Sequence, residues 1–160
     1  MENYESLDVE GRNVKLCVFR EVVSLQDMNA FIFQNQLPIC IVDAKIIVGT
    51  WQIATAVHYA DIAAEHGTMR ARNLQMEVIL SLSPGARLQP AQKYVVPGAN
   101  TREVLVIILE GDIPNIPGIQ TPQKISEYLK EERDLNPVKE AFHVEESTLK
   151  VYSLETVIVN

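Results

Sequence analysis

Apolar and polar positions divide the chain into short runs suited to strands and longer runs suited to helices. Residues 13–23, NVKLCVFREVV, are rich in β-branched and aromatic side chains and predict a first strand. Ser24 then opens a helix: SLQD is a capping box with aspartate in the glutamate position, and Leu25, Met28 and Ile32 recur at i, i+3 and i+7. Pro38 ends the connection, and ICIVDA at 39–44 is a short, nearly continuous apolar run of the length of a buried strand.

The longest helix is expected over 51–66, with Thr50 as N-cap, His66 in the last turn and Gly67 as the stop. Trp51, Ala54, Val57 and Ala60 or Asp61 trace one side of it; Ile53, Ala56, Ala60 and Ala63 trace another. Two apolar stripes suit a helix packed in the core or against a partner chain. Met76, Val78, Leu80 and Leu82 then alternate with Gln75, Glu77, Ile79 and Ser81, which predicts a strand with one buried face. After the SPG turn at 83–85 come a short helix over 89–95, the closing PGAN and a strand in EVLVIIL. Thr121 and Pro122 open a helix reaching to 133, Asn136 and Pro137 open another, and ESTLKVYSL finishes the fold. Strands interleaved with helices predict an α/β (α+β) fold: a single layered domain over 1–160, with a mixed sheet of about four to five strands packed with helices. Residues 1–12 are expected to be a flexible N-terminus.

Charge narrows the function classes. Twenty-one acidic against fourteen basic residues give a net charge of -7, which disfavours a free-standing nucleic-acid binder and confines any such contact to a local patch. No run approaches the roughly 20 apolar residues of a membrane span, and the acidic start MENYESLDVE lacks a leader pattern, so a soluble intracellular protein without membrane contact is expected. Cys17 and Cys40 lie in apolar runs without C-x-x-C spacing and are expected as buried thiols.

Catalytic signatures are missing: no P-loop, G-x-G-x-x-G, H-E-x-x-H or G-x-S-x-G. His58, Asp61 and Glu65, at i, i+3 and i+7, could align for a metal, or form the solvated face that such spacing ordinarily marks. His143 stands alone in an expected loop. Arg70, Arg72 and Lys93, with backbone amides around Asn73, could contact phosphates; a solvated loop before a strand is the plain alternative. If the patch meets phosphate, Arg70 is expected to make the contact and Arg72, nearer the element that follows, to pair internally, for example with Glu77 or Glu103.

The block TMRARNLQMEVILSLSP, followed by RLQPAQKYVVPGAN and EVLVIIL, resembles the small kinase-binding subunits of the KEOPS complex, also called EKC, the TPRKB-like family. That family carries an R-x-R-[NT]-L stretch, a glutamate four residues on and a closing LSP, matched here by Arg70, Arg72, Asn73, Leu74, Glu77, Leu82, Ser83 and Pro84. The order of flanking elements extends the resemblance over about 13–154, and LKVYSL is similar to the family's KIYKL segment. Pro90 stands where an acidic residue is usual and Val96 where glycine is, and the final SLETVIVN implies a shortened C-terminal helix. The resemblance implies a non-catalytic, cofactor-free subunit, cytoplasmic and nuclear. It implies direct binding to the complex's small atypical kinase, contact with the other subunits through that kinase, and help in recruiting tRNA by its CCA end for threonylcarbamoyladenosine modification. Leu25, Met28, Ile32, Ile53, Ala56 and Ala60 are the expected kinase interface, and Arg70, Arg72, Asn73 and Lys93 the expected tRNA contacts. A structural adaptor that never touches RNA, and a small metal-dependent enzyme on the His58, Asp61 and Glu65 face, are the alternatives.

Overall fold

A computed structural model describes residues 3–142, which divide into two compact units, one of 3–44 with 96–131 and the other of 45–95 with 132–142. His143 and the expected ESTLKVYSL and C-terminal segments lie outside the described residues.

The first unit is built on a sheet. Strand β1, Glu5–Val9, forms a hairpin with β2, Arg12–Val22, through Glu10 and Gly11, whose φ angles of 50° and 88° are those of a two-residue turn that follows the sheet twist. Asp8 Oδ1 accepts the Gly11 N–H at 3.0 Å. Residues 5–9, expected within the flexible start, are therefore ordered by pairing. Strand β3, Ile39–Asp43, and β4, Val104–Ile108, are buried at every position. All four pairings among the described strands are antiparallel, so the α/β fold rests on an antiparallel sheet and not the expected mixed one. The order β1-β2-β4-β3 leaves β5, Ile119–Gln123, paired to β2 as well. Because β4 holds the other edge of β2 over 15–19, β1 and β5 lie end to end along one edge, facing 12–16 and 18–22 respectively.

β5 replaces the first part of the helix expected from Thr121 and Pro122. Thr121 has φ of 60°, which a helix excludes, and Pro122 sits opposite Phe19 in the register. The helix begins later, as α5, Ile125–Lys130, with Lys124 at its N-cap. The expected capping box holds: Ser24 Oγ accepts the Asp27 N–H at 3.2 Å and starts α1, Leu25–Gln34. Met28 of α1 packs with Cys17, Phe19, Ile39, Ile41, Val106 and Ile108 on one sheet face.

The second unit is helical: α2, Thr50–His66; α3, Leu74–Leu82; α4, Leu88–Pro90, continued by a π-turn over Ala91–Val95; and α6, Asn136–Phe142. α3 overturns the expected strand. Asn73 Oδ1 accepts the Met76 N–H at 2.9 Å and caps a helix in which Val78, Ile79, Leu80 and Leu82 are all buried. A helix buried nearly all round shows no 3.6-residue stripe, so its composition also satisfied a period of two. No helix among the described residues is long and apolar enough to cross a membrane.

Candidate functional site

α2 begins one residue before its expected start. Gly49, extended at φ -168°, is the N-cap, and Thr50 makes no capping bond. Buried Gln52 ties the preceding turn to the helix: its Oε1 accepts the Val48 N–H and its Nε2 donates to Ile46 O, each at 3.1 Å. Gly67, at φ 68°, closes the helix in the left-handed region as expected, and His66 Nδ1 lies 3.1 Å from Ile62 O in the last turn.

Rotation about α2 decides which stripe is available. Ile53, Ala56, Val57 and Ala60 are buried together. Three expected kinase-interface residues, Ile53, Ala56 and Ala60, are thus core. Met28 is fully buried too, and Leu25 and Ile32 are half-buried against the cluster around it. The opposite side of α2 carries Trp51, 62% exposed, Tyr59, 60% exposed, and Ile62, at i, i+8 and i+11. Residue spacing alone held this signal, because a tryptophan and tyrosine eight apart fall within about 80° on a helix. Met76 and Leu88 add exposed apolar surface in the same unit, as do Phe33 and Val23 in the first. Among the described residues no cluster of three His, Cys, Asp or Glu side chains could hold a metal, so His58, Asp61 and Glu65 do not converge into a ligand set.

Between α2 and α3 the chain is held by one carboxylate. Glu77, 1% exposed, accepts with Oε1 the backbone N–H groups of Arg70 at 2.5 Å and Ala71 at 3.2 Å. The side chain of Arg70 reaches across to a tight turn at Pro84–Ala86, where Nη1 donates to Ala86 O at 3.0 Å. Arg72 is exposed and makes no side-chain hydrogen bond or ion pair with a described residue. Arg70 thus carries an internal bond, to a carbonyl and not to a carboxylate, and the pairing expected of Arg72 is not made. Glu103, the other suggested partner, pairs with Arg20 instead.

The remaining expected contacts are apart from this arrangement. Asn73 spends its side-chain oxygen on the cap of α3. Lys93 Nζ lies 5.0 Å from the Tyr94 ring centroid and 3.8 Å from Glu140 Oε1, and Tyr94 and then Glu140 raise its pKa above the ordinary ammonium value. Sequence reasoning passed over Arg87, an exposed arginine beside the turn that Arg70 reaches. Both thiols are buried. Burial pushes the pKa of Cys17 up to about 11 and that of Cys40 higher still, away from the thiolate that reactivity requires.

Residues 19–160 match the model of the family described as kinase binding protein CGI-121. The chain belongs to the kinase binding protein CGI-121 family. The match covers α1–α6 and all of the 68–87 segment just described. A similar protein from Kluyveromyces lactis, named EKC/KEOPS complex subunit CGI121, is 31% identical over 72 residues, which are 45% of this chain and 46% of that relative. The matched part thus spans about half the length of that member of the family.

Proposed function

We propose that this chain is a non-catalytic subunit of an EKC/KEOPS complex, in which it binds the kinase subunit directly, reaches the other subunits through it and helps recruit tRNA for threonylcarbamoyladenosine modification. The observation that carries the reading is the family match over 19–160, with the curated relative's name beside it. The outward stripe of α2 supports it, because Trp51, Tyr59 and Ile62 expose apolar surface of the kind that fills the centre of a protein interface. Residence in cytoplasm and nucleus belongs to the same proposal.

Co-purification of the full chain with identification of bound proteins tests the kinase reading. A stoichiometric kinase supports it, and a preparation that never captures one at native levels counts against it. The tRNA reading is tested by the affinity of the assembled complex for tRNA with and without this subunit. Equal affinities would leave a structural adaptor, a reading that the internal bond of Arg70 to Ala86 O favours for that residue.

A further inference from the structure

We propose that Thr121 is a phosphorylation site for a proline-directed serine/threonine protein kinase, and that its phosphate takes the place of Glu131 on the guanidinium of Arg20. The site stands apart from the stripe proposed for binding a kinase subunit: Thr121 belongs to the first unit and α2 to the second. Three observations carry it.

The first is access. The chain holds two Ser/Thr-Pro pairs, Ser83-Pro84 and Thr121-Pro122. Ser83 is 4% exposed, and its Oγ donates to Leu80 O at 2.6 Å. Thr121 is exposed between exposed Gln120 and Pro122, and its hydroxyl makes no hydrogen bond with a described residue. A proline-directed kinase selects proline after the acceptor because its cleft gives a backbone N–H no partner there, and proline has none. Lys124, three residues beyond the acceptor, is the cation that a subset of these enzymes also reads.

The second is how lightly the acceptor is held. Among the described strands β5 pairs with β2 alone, and Pro122 brings no N–H to the ladder. Pairing is interrupted at Thr121 itself, between Phe19 opposite Pro122 and Glu21 opposite Gln120. Thr121 also holds φ of 60°, which both its β-branched side chain and the proline after it disfavour. A kinase cleft takes its peptide extended. Lifting residues 119–123 from the edge releases the strain at Thr121, which offsets part of the cost of local opening.

The third is the cation waiting for the phosphate. In that register Thr121 stands across from Arg20. The Arg20 side chain already leans over β5, donating to Gln123 Oε1 at 2.9 Å, and is shared between Glu103 and Glu131. In the transfer a bond forms between Thr121 Oγ1 and the γ-phosphorus of Mg-ATP as the bond to the β,γ-bridging oxygen breaks; ADP leaves, and the hydroxyl proton goes to the kinase's catalytic base. The product carries a charge of about -1.5 to -2 and three strong acceptor oxygens. Three anions around one guanidinium repel, and the most easily solvated leaves. Glu103 faces Arg20 by continuation of the β2–β4 register, whereas Glu131 is the exposed C-cap of α5. Its departure also breaks the bond from Gln123 Nε2 to Glu131 Oε1 at 3.1 Å, so the C-terminal end of α5 loses both side-chain ties to the sheet.

The test incubates the folded full chain with a cyclin-dependent kinase and Mg-ATP and maps the product by mass spectrometry. Phosphate is expected on Thr121 and not on Ser83, retained in Thr121→Ser and absent in Thr121→Val. Pro122→Ala should slow the reaction about tenfold, the effect of one N–H left unpaired in the cleft. Melting curves establish that each variant is folded before the reaction. No incorporation at Thr121, or a rate unchanged by Pro122→Ala, overturns the site. Hydrogen exchange then compares the chain with and without phosphate. Amides of 125–131 are expected to exchange roughly two- to fivefold faster in the modified chain, which is what one partly exposed ion pair is worth. Unmodified Glu131→Gln should already show the faster rate, and phosphorylating it should add nothing. Equal rates in the parent with and without phosphate overturn the exchange on Arg20.

Discussion

The backbone N–H of Arg70 donates to Oε1 of Glu77, whose carboxylate is buried seven residues further along the chain. One side chain so placed settles how the link between α2 and α3 runs, since the Ala71 N–H is taken by the same oxygen. Glu77→Ala leaves both donors without that acceptor and is expected to cost about 2–3 kcal/mol. Glu77→Gln, which keeps an acceptor oxygen, should cost less than half of that. Denaturant melts of the two variants check the order; an alanine variant within 0.5 kcal/mol of the parent, about the scatter of surface changes, would show that water replaces the carboxylate.

Arg20 is the hub of the first unit. It pairs with Glu103 through Nε and with both carboxylate oxygens of Glu131 at 2.8 and 2.9 Å, donates to Gln123 Oε1 at 2.9 Å, and lies 5.5 Å from the Tyr128 ring centroid. Its side chain is about one third exposed, so solvent screening reduces the worth of each pair. Arg20→Ala should cost about 1–2 kcal/mol, and Arg20→Lys should restore less than half, because an ammonium cannot make the planar multi-partner contact. Added salt should narrow the gap between parent and alanine variant; an unchanged gap would point to packing on Tyr128 as the whole effect.

Gly118 stands where α1 begins. Its carbonyl accepts the N–H groups of Val23 at 2.7 Å and Ser24 at 3.0 Å, its φ is 86°, and a β-carbon there would meet the backbone oxygen of Ser24 at 2.2 Å. Gly118→Ala combines a left-handed strain of about 1–3 kcal/mol with a clash that only backbone movement relieves. Loss of about 3 kcal/mol or more is expected by thermal melting, and a neutral substitution would mean that the loop over 109–118 re-routes freely.

Both thiols should resist labelling by alkylating reagents in native protein and react together on unfolding, two per chain. The sign of the pH effect follows from burial. The pKa of Cys17 is raised to about 11 in the fold, so above pH 9.0 the unfolded chain gives up this proton first and folding stability falls as pH rises toward 11. Stability curves from pH 8 to pH 11 for the parent and Cys17→Ala read this directly: the parent should have the steeper decline. Equal slopes would place the alkaline loss in other groups.

On α2, Trp51→Glu and Tyr59→Glu should leave melting within about 0.5 kcal/mol of the parent, since both side chains point to solvent. Capture of the kinase should be lost in at least one of them. Ala56→Glu or Ala60→Glu, by contrast, inserts an unpaired charge among core residues and should unfold the second unit. Full kinase capture by the Trp51→Glu, Tyr59→Glu double variant would exclude this face as the interface.

Local chemistry was legible where a single residue decides an outcome. Ser24 with Asp27 marked the start of α1, and Gly67 marked the end of α2, because a cap or a left-handed stop needs no tertiary partner. The hairpin at Glu10 and Gly11 went unread because glutamate replaces the asparagine or aspartate that signals such a turn. The segment 74–82 was misread for a different reason: four consecutive residues, Glu77 to Leu80, are buried, so its periodicity recorded no narrow face, and the deciding Asn73 looked like part of a basic loop. The same limit applied to function. Residues 70–84 could be recognised as a family pattern, whereas the exposure of Trp51, the burial of Ala56 and Ala60, and the seating of Arg87 on a turn shared with Arg70 depend on packing and long side-chain reach.

The shared edge of β2 sets an order of events in folding. β1 can zip onto residues 12–16 as a local hairpin on the microsecond scale, closing a loop of two residues. β5 must find residues 18–22 of the same strand after about a hundred intervening residues, a closure that costs about 3 kcal/mol more in chain entropy. One half of that edge is thus complete early and the other stays open until the rest of the sheet is in place. During synthesis the open half, with Phe19 and Val22 among its residues, is the surface on which a nascent chain would be vulnerable to pairing with the wrong strand.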